Sequence, residues 1–512
     1  MKLLLLASLL LIAAATAAMP PLRGLPRRGP AAPLRPAGAT PGTGNCSVHF
    51  YSQPLDHFGF RTNATFPQRY YVCLPENWRG PNSTVFFYTG NEANVDLFVN
   101  ATGLMWENAA AFSAVLVFAE HRYFGESLPF PGQKMPPAPQ LQYLSVDQAL
   151  ADYAKLIQFL RLSPQSPVGA GTGRGSTFIT FGGSYGGMLS SWLRIKYPWA
   201  VQGAIAGSAP IVNFEGMDPA YNPNAFQDVV TFDATAAGGA ASDCADNIRS
   251  AFQRIFALMN SGDFATLSAE LGTCKPIASV DDAWGYVNDI ANAFGMMAMS
   301  SYPFPSNYLL LGGKGILPAY PMRVGCAKIA GAATPSAQVR GLVQVVNVYF
   351  NATGAETCLN DQTTVNEATE IVNYLWGYLA CTTMFMPFGT NGVTDMFWNA
   401  PWNATASLAA CQQQFPGVVT RPDWVAVEYG GWWVARGGSN IVFSNGQLDP
   451  WRPGGITHAT APSVATVIVA DAGHHMDLMF SNPADMPSVR AARAVEVEHM
   501  HRWVREHTQR GK

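Results

Sequence analysis

The sequence predicts an α/β protein: a mostly parallel β-sheet with helices on both faces and an inserted helical cap. Two observations predict this class. Short apolar runs typical of strands alternate with helical stretches up to about residue 210, and strand-like runs return after about residue 440. Between these two parts, about two hundred residues contain helical segments and few strand-like runs.

The elements before residue 210 alternate in the order of βαβ units. Ser145 stands where a side chain can cap the helix that follows it. This alternation predicts parallel strands with helices packed on both faces of the sheet. The predicted strands lie at 84–88, 114–120, 176–181 and 203–207, and the predicted helices at 145–161 and from about 185.

The pattern changes after Pro210. Helical segments at 244–260 and 280–299, abundant Ala and Met, and six of the eight cysteines predict an inserted helical cap over 212–420. Strand signals return at 440–444 and 464–470, and a helix over 488–507 closes the chain. The sheet domain is therefore predicted at 46–211 and 421–512.

The N-terminus has the pattern of a secretory signal. Residues 1–18 contain one positive charge, an apolar run of signal-peptide length and a small-residue cleavage pattern, so we expect a cleaved signal peptide; an uncleaved anchor is the alternative. Residues 19–45 are rich in Pro, Gly and Arg, which predicts a flexible or removed pro-segment. We expect no membrane span after the signal.

The cysteines and glycosylation motifs fit the secretory pathway. The eight cysteines form no CxxC or Cys/His cluster, so we expect disulfides, no metal site and no cofactor. A net charge of −3 without basic runs argues against nucleic acid or an anionic membrane as a partner. Asn-x-Ser/Thr acceptors occur at Asn45, Asn63, Asn82, Asn100, Asn351 and Asn403.

Ser184, in the stretch FGGSYGGM, is a candidate nucleophile. A bare Gly-x-Ser-x-Gly is weak evidence, because glycine and serine are both frequent in this chain. Here the motif lies between the apolar run TFITF and the helix-compatible run MLSSWLRIKYP, the strand-turn-helix setting that lifts a serine hydroxyl above a sheet. Side chains at the flanking glycines would clash at so sharp a bend. The context therefore favours a nucleophile over a structural turn.

A nucleophilic serine needs a histidine as base and a carboxylate that orients the histidine. In α/β-hydrolases the chain order is serine, acid, histidine, with the last two after later strands. Asp449 follows the run NIVFS, and His474 and His475 follow the run VATVIVA. We therefore predict a triad of Ser184, Asp449 and His474, with His475 as the alternative base.

Other acids and histidines are weaker alternatives. Asp471 and Asp477 lie near the histidines, but neither directly ends a strand of its own. We interpret the remaining histidines as surface or structural residues. His49 and His57 are expected to precede the sheet, and the others are His121, His458, His499, His501 and His507.

The oxyanion of an acyl-transfer reaction needs backbone donors. The N–H of Tyr185, at a helix N-terminus, is the first candidate. The second should come from the loop YTGNEA after the first predicted strand, with Gly90 and Asn91 as candidates. Glu92 of this loop is a candidate substrate-binding residue. An ordinary turn is the alternative interpretation of the loop.

Together these stretches resemble the family of lysosomal Pro-Xaa carboxypeptidase and dipeptidyl peptidase II. The resemblance runs from about residue 50 to 507 and implies an α/β-hydrolase with a helical cap, acting in the lysosome, vacuole or secreted fluid as an acid-pH serine peptidase that cleaves after proline. Details such as GESLPF and GTNGVTDMF are nearer to the carboxypeptidase. The matching stretches are QPLDHFGF, TFPQRYYV, FFYTGNEA, LVFAEHRYFGESLPF, SVDQALADYAKLI, GGSYGGML, NIVFSNGQLDPW and AGHHMDL.

The resemblance implies further roles. Met188, Met386 and Trp451 match the proline pocket of the carboxypeptidase, and thioether and aromatic groups suit a pyrrolidine ring. Asp395 matches the aspartate that holds the substrate amine in dipeptidyl peptidase II, but both branches carry it. Burial under the cap or a charge on His475 would help to keep His474 neutral at acid pH, and our hypothesis is the charged His475.

The resemblance also suggests disulfides and two departures. A further bridge of the carboxypeptidase is missing because Gly389 replaces one partner, and Met479 stands where the family tends to have arginine. The implied pairs are Cys244 with Cys326, Cys274 with Cys358 and Cys381 with Cys411, and we expect Cys46 and Cys73 to join near the N-terminus.

We therefore predict an enzyme that releases a C-terminal residue from Pro-Xaa ends. The alternative within the family is release of N-terminal Xaa-Pro dipeptides. A lipase or esterase would share the triad, and an inactive binding protein would have lost a member of it. The expected partners are proline-containing peptides, and a homodimer is left open.

Overall fold

The computed structural model describes residues 41–75, 78, 80, 83–133, 135–168, 173, 175–310, 315–360 and 367–510 of the 512-residue chain. The predicted signal peptide at 1–18, most of the predicted pro-segment at 19–45 and the acceptor Asn82 lie outside the described residues. Within these ranges, no helix has the length and apolar character needed to cross a membrane.

The strands build one large sheet and one small ribbon. They are β1 (Ser47–Pro54), β2 (Thr65–Cys73), β3 (Val85–Thr89), β4 (Val115–Ala119), β5 (Phe178–Gly183), β6 (Gly203–Gly207), β7 (Thr390–Asn391), β8 (Asn399–Ala400), β9 (Ile441–Gly446) and β10 (Val464–Val469). The large sheet has the order β1-β2-β4-β3-β5-β6-β9-β10, and β7 pairs with β8. β2 is antiparallel to both neighbours, and the other neighbouring strands of the large sheet are parallel.

The helices follow the predicted alternation. They are α1 (Asp96–Ala101), α2 (Gly103–Phe112), α3 (Ala138–Leu141), α4 (Val146–Leu162), α5 (Tyr185–Lys196), α6 (Ala225–Asp233), α7 (Cys244–Ser261), α8 (Phe264–Leu271), α9 (Val280–Met299), α10 (Pro321–Ile329), α11 (Pro335–Phe350), α12 (Glu367–Thr382), α13 (Ala404–Gln414), α14 (Trp424–Tyr429), α15 (Val434–Gly437) and α16 (Pro487–Arg510). The hydroxyl of Ser145 accepts a hydrogen bond from the N–H of Gln148 at 3.3 Å, so the expected cap of α4 is present.

The helices cover both faces of the sheet. Side chains of a strand point alternately to opposite faces. In β3, Phe87 belongs to one buried cluster with Tyr153 of α4 and Trp192 of α5, whereas Phe86 belongs to a second cluster with Leu104 of α2 and Trp503 of α16. The sheet is therefore buried between two helical layers. Together with the mostly parallel strand order, this is the α/β-hydrolase fold that the sequence predicts.

The antiparallel edge was not expected. β1 pairs with β2 along its whole length, so the expectation that His49 precedes the sheet is wrong. Val48 and Phe50 of β1 are about half exposed (48% and 53%) whereas Gln53 is buried. The apolar alternation that identifies a half-buried strand is therefore absent from β1.

The helices from α6 to α13 lie between β6 and β9 in the chain, where the cap is predicted. Three disulfides cross-link this segment, and a fourth joins the start of β1 to the end of β2. The four bonds are those expected: Cys244–Cys326, Cys274–Cys358, Cys381–Cys411 and Cys46–Cys73. The boundaries 212 and 420 of the cap stay a prediction.

The described glycosylation acceptors differ in surroundings. Asn45, Asn63 and Asn403 are exposed. Asn100 and Asn351 are partly buried, and their side-chain amides donate hydrogen bonds to backbone carbonyls. Glycosylation at all five stays a prediction.

Candidate active site

Ser184 occupies the turn between β5 and α5. Its backbone has φ 60° and ψ −129°, a conformation that residues other than glycine rarely adopt. The N–H of Ser184 donates to the carbonyl of Gly207 at 2.9 Å, which ties the turn to the neighbouring strand β6. A Cβ atom at Gly182 would lie 2.0 Å from the carbonyl oxygen of Gly186, so the turn requires glycine there.

Asp449 and His474 follow β9 and β10, and their side chains meet. Nδ1 of His474 lies 2.8 Å from Oδ2 of Asp449, and both residues are buried. Oδ1 of Asp449 accepts a hydrogen bond from the N–H of Trp451 at 3.1 Å. Because β5, β6, β9 and β10 are parallel neighbours, their carboxyl ends lie at one edge of the sheet. Ser184 is at this edge as well.

Ser208, just past β6, connects the three loops. Its N–H donates to the carbonyl of Ser444 in β9 at 2.7 Å, and its hydroxyl accepts a hydrogen bond from the N–H of His475 at 2.8 Å. Ser208 also follows Gly207, which accepts the hydrogen bond from Ser184. The serine turn, the strand before the acid and the histidine loop are thus joined through one short segment.

The alternative acids have other partners. Oδ2 of Asp471 accepts a hydrogen bond from the hydroxyl of Tyr320 at 2.9 Å, and its other oxygen contacts Arg323. Oδ2 of Asp477 accepts a hydrogen bond from the hydroxyl of Ser444 at 2.5 Å. Of the three candidate acids, Asp449 is the one bonded to His474.

The other histidines lie in structural or surface positions. His121 is buried and hydrogen-bonded to the hydroxyl of Tyr185 at 3.0 Å, and burial lowers its pKa to about 4. His57 contacts Asp152, and His458 is exposed. His49 lies in β1, and His499, His501 and His507 lie in α16.

The expectation of a charged His475 is wrong. Its ring lies against the serine turn, where a Cβ atom added at Gly183 would lie only 2.8 Å from it, and the residue is 5% exposed. Burial, together with the nearby His474, lowers the pKa of His475 well below its ordinary value. His475 is therefore neutral and acts through packing.

The cap holds the histidine loop by main-chain contacts. The N–H of His474 donates to the carbonyl of Met299 at 2.9 Å, and the N–H of Gly473 donates to the carbonyl of Ser301 at 2.9 Å. The buried hydroxyl of Tyr302 donates to the carbonyl of His474 at 3.1 Å. The sequence does not single out these residues, because they lie at or just after the end of α9 in a part of the chain that shows only a helical pattern.

The loop after β3 supplies one free main-chain donor. The N–H of Gly90 donates to the carbonyl of Ala119 at 3.0 Å, so the expectation of Gly90 as an oxyanion donor is wrong. The N–H groups of Asn91 and Tyr185 make no hydrogen bond to the described residues and precede or begin helical segments at the site. They remain the candidate pair of donors.

The predicted pocket residues are buried in one apolar cluster. Met188 lies one turn of α5 beyond Ser184, and Met386 and Trp451 belong to the same cluster. The ring of Trp451 meets Phe226 edge to face at 5.0 Å and Phe388 at 5.7 Å. The two phenylalanines were not predicted, and nothing in their sequence surroundings separates them from ordinary core residues.

Asp395 is buried within its own loop. Its carboxylate accepts hydrogen bonds from the N–H groups of Asn391 at 2.7 Å, Gly392 at 3.2 Å and Phe397 at 3.0 Å, and the residue is 0% exposed. These three bonds make Asp395 an organiser of its loop, and its role in binding a substrate amine stays a prediction.

The fold and this edge of the sheet are those of a serine hydrolase. The chain belongs to the serine carboxypeptidase S28 family, whose model matches residues 53–496, and it is a serine-type peptidase.

Two relatives illustrate the match. The chain is 39% identical to human lysosomal Pro-X carboxypeptidase over 477 residues, which cover 93% of this chain and 91% of the relative. It is 33% identical to prolyl carboxy peptidase like protein 5 of Caenorhabditis elegans, over 89% of this chain and 90% of the relative. A solved structure, proline iminopeptidase of Mycobacterium smegmatis, aligns over 91% of this chain and all of that chain at 11% identity, with a TM-score of 0.35. The strand order and the family match define the fold.

Proposed function

We propose that the protein is a serine carboxypeptidase that removes the C-terminal residue following a proline. The hydrogen-bonded pair of Asp449 and His474, at the sheet edge where Ser184 stands, carries this proposal. The 39% identity to lysosomal Pro-X carboxypeptidase over most of both chains supports the substrate class.

In the first half of the reaction, Ser184 attacks the carbonyl carbon of the proline. His474 takes the proton from the serine hydroxyl, and Asp449 orients the imidazole and stabilises its positive charge. The N–H groups of Tyr185 and Asn91 donate to the oxyanion. His474 then gives the proton to the leaving nitrogen, the peptide bond breaks and the C-terminal amino acid departs.

In the second half, water hydrolyses the acyl-enzyme. His474 takes a proton from the water, the resulting hydroxyl attacks the ester carbonyl, and the bond to the Ser184 oxygen breaks as that oxygen is reprotonated. The shortened peptide leaves with proline at its new C-terminus.

We place the proline side chain against the apolar cluster that contains Met188, which lies one turn of α5 beyond Ser184. Met188, Met386 and Trp451 offer thioether and aromatic surfaces, which suit a ring without polar atoms. Truncation of any of these side chains would leave a cavity that the pyrrolidine ring of the substrate proline does not fill.

We place the protein in the secretory pathway and in the lysosome or an equivalent compartment. Four disulfides fit an oxidising route of synthesis, and the mammalian relatives are named lysosomal. The homodimer stays a prediction.

Release of N-terminal dipeptides is not favoured. That activity needs a carboxylate to hold the substrate amine, and the carboxylate of Asp395 is buried with three main-chain donors.

Peptides blocked at one end test the proposal. An N-acetylated Ala-Pro-Phe peptide with a free carboxylate should lose phenylalanine, and the product masses should identify the bond that is cut. The Ser184→Ala variant should release nothing. Release of Ala-Pro from a peptide with a free amine and a C-terminal amide, without cleavage of the acetylated peptide, would reject the carboxypeptidase.

A further inference from the structure

His121 lies two residues past the end of β4, and its imidazole ring contacts the side chain of Tyr185. Nε2 of His121 lies 3.0 Å from the hydroxyl of Tyr185, and both residues are 0% exposed. Tyr185 follows Ser184 directly and begins α5. The imidazole is therefore joined, through one side chain, to the residue whose N–H is a proposed oxyanion donor.

The surroundings of His121 fix the direction of this hydrogen bond. Nδ1 of His121 lies 2.7 Å from the carbonyl oxygen of Arg122, and a carbonyl can only accept, so Nδ1 carries the hydrogen. In the neutral ring Nε2 then has a lone pair, which accepts the hydrogen of the Tyr185 hydroxyl. Among the described residues, His121 is the only hydrogen-bond partner of that hydroxyl.

The ring of His121 is neutral in mild acid. Burial lowers the pKa of His121 to about 4, the bond to the carbonyl of Arg122 and the charge of Asp152 oppose this change, and the guanidinium of Arg122 adds to it. The two charges are paired with each other, since Nε of Arg122 lies 2.7 Å from Oδ2 of Asp152. Burial also raises the pKa of Tyr185, so its hydroxyl keeps the hydrogen that it donates.

The end of β4 also holds the loop of the other proposed donor. The N–H of Gly90 donates to the carbonyl of Ala119 at 3.0 Å, and an added Cβ atom at Gly90 would lie 2.1 Å from the same oxygen. Asn91 follows Gly90, its side-chain amide donates to Oε2 of Glu92 at 2.9 Å, and substrate binding by Glu92 stays a prediction. Both proposed oxyanion donors therefore depend on contacts with residues at the end of β4.

The cap packs against the ring of Tyr185. Trp376 of α12 meets this ring edge to face, with the ring centres 5.3 Å apart, and His121 lies with its ring centre 5.5 Å away. The tyrosine ring is thus packed against the cap and hydrogen-bonded at its hydroxyl. Groups that stabilise a transition state have to be held within about 0.5 Å of their productive position. A fixed ring at the first residue of α5 restricts the main chain that carries the donor.

We propose that His121 is a positioning residue: it accepts the hydrogen bond of the Tyr185 hydroxyl and so holds the N–H of Tyr185 in place for the oxyanion. The role rests on the serine peptidase reaction proposed above and adds to it a residue outside the triad.

Four variants and one control test the hydrogen bond. His121→Gln keeps a neutral acceptor at the end of the side chain, whereas His121→Phe fills the space of the ring without an acceptor. Tyr185→Phe removes the hydroxyl, and the fourth variant combines His121→Phe with Tyr185→Phe. The control, Tyr123→Phe, removes another buried hydroxyl of the same loop, which donates to the carbonyl of Gln140.

Two rates are measured at about pH 5.5, where a histidine with a pKa of about 4 is neutral. His121→Phe and Tyr185→Phe should each lower kcat for acetyl-Ala-Pro-Phe by about tenfold with a much smaller change in KM, because the oxyanion forms only in the transition state. The rate at which a fluorophosphonate labels Ser184 should fall by a similar factor, since its phosphoryl oxygen occupies the same site.

The other variants separate position from stability. His121→Gln should retain most of both rates, and the double variant should be no slower than the slower of the two single variants, because both remove one shared bond. Tyr123→Phe should lower the thermal unfolding midpoint without changing either rate. If His121→Phe does not fold, Tyr185→Phe compared with Tyr123→Phe makes the same test.

Three outcomes would overturn this role of His121: wild-type rates in folded His121→Phe or Tyr185→Phe, single losses that multiply in the double variant, or an equal fall of both rates in Tyr123→Phe. A wild-type enzyme that releases only N-terminal dipeptides would instead reject the proposed function, while the labelling rates would still report on the position of Tyr185.

Discussion

Ser184, the residue whose hydroxyl has to react, has a strained backbone. Its φ of 60° with a ψ of −129° is costly for a serine, and such conformations persist only where the surroundings fix them. Here the hydrogen bond to Gly207, the start of α5 and the close approach of Gly182 to Gly186 fix the turn. The strained turn holds Ser184 at the sheet edge, where the residue is 7% exposed.

Gly186 gives a sharp test of this turn. A Cβ atom there would lie 2.9 Å from both Oδ1 of Asn91 and the carbonyl oxygen of Thr89. Gly186→Ala should push the oxyanion loop away from Ser184 and lower kcat by about 10- to 100-fold with a smaller change in KM, as measured by steady-state kinetics.

Gly285 is the matched control for Gly186. It lies inside α9 with no atom within 4 Å of an added Cβ. Gly285→Ala should leave kcat unchanged and stabilise the protein by roughly 0.5–1 kcal/mol, since alanine favours the helix. Equal kcat values for the two alanine variants would contradict the role given to Gly186.

At the residue scale, the sequence predicts those site residues that follow strands. Ser184, Asp449 and His474 each follow an apolar run within a few residues, and the ends of parallel strands share one edge of the sheet. The neutral state of His475 and the engaged N–H of Gly90 could not be predicted, because each depends on a contact with a distant part of the chain.

At the element scale, the end of α9 and the histidine loop behave as one unit. The carbonyls of Met299 and Ser301 accept hydrogen bonds from the loop, and Nε1 of Trp451 donates to the sulfur of Met299 at 3.0 Å. The same short segment therefore touches the loops of both the base and the acid. The cap therefore helps to position the catalytic base and acid as well as covering the site.

Tyr302 tests this connection. Tyr302→Phe removes the hydrogen bond to the carbonyl of His474 and leaves that carbonyl without its side-chain donor. We expect a loss of about 1 kcal/mol in unfolding free energy and a lower kcat, because the loop that carries the base is less well held. Urea unfolding and steady-state kinetics measure the two effects.

Tyr221→Phe provides the comparison for Tyr302. The hydroxyl of Tyr221 is buried without a hydrogen-bond partner among the described residues. Its removal should leave kcat unchanged and should not destabilise the protein, because no hydrogen bond is lost. A kcat for Tyr302→Phe that matches that of Tyr221→Phe would show that the cap does not hold the base.

The order of elements could be predicted far better than the edge of the sheet. The predicted helix at 280–299 coincides with α9, and the strands β3, β4, β5, β6, β9 and β10 lie within a few residues of their predicted positions, because their apolar runs are continuous. β1 and β2 were not predicted as strands, since an edge strand with exposed apolar and buried polar side chains lacks the alternation by which strands are recognised.

At the scale of the whole molecule, buried acids favour the folded state in acid. Burial and the charge of Asp449 raise the pKa of Asp233 well above its ordinary value, although Arg323 and Arg452 act in the opposite direction. A carboxyl whose pKa is higher in the folded than in the unfolded protein stays protonated when folded. Its contribution to stability is complete below the unfolded pKa and is lost as the pH rises toward the folded pKa.

Replacing Asp233 by Asn should remove the decrease in stability that accompanies the rise in pH. The unfolding midpoint of the wild type should fall between about pH 4.5 and pH 7, and that of Asp233→Asn should fall less, with a gain in unfolding free energy of at least about 1 kcal/mol near neutrality. Thermal unfolding at several pH values measures the difference.

Asp281→Asn controls for the loss of a negative charge, because Asp281 is exposed in the first turn of α9. Its midpoint should follow that of the wild type at every pH. Parallel curves for Asp233→Asn and the wild type would contradict the account of the buried acid.

The contact between the end of α9 and the histidine loop also bears on the order in which the active site is assembled during synthesis. A ribosome delivers the serine turn first, the cap next and the histidine last, and the histidine then meets a segment that has already emerged. During synthesis the chain therefore carries the serine hydroxyl without its catalytic base. It can hydrolyse peptides only after the last strand has joined the sheet.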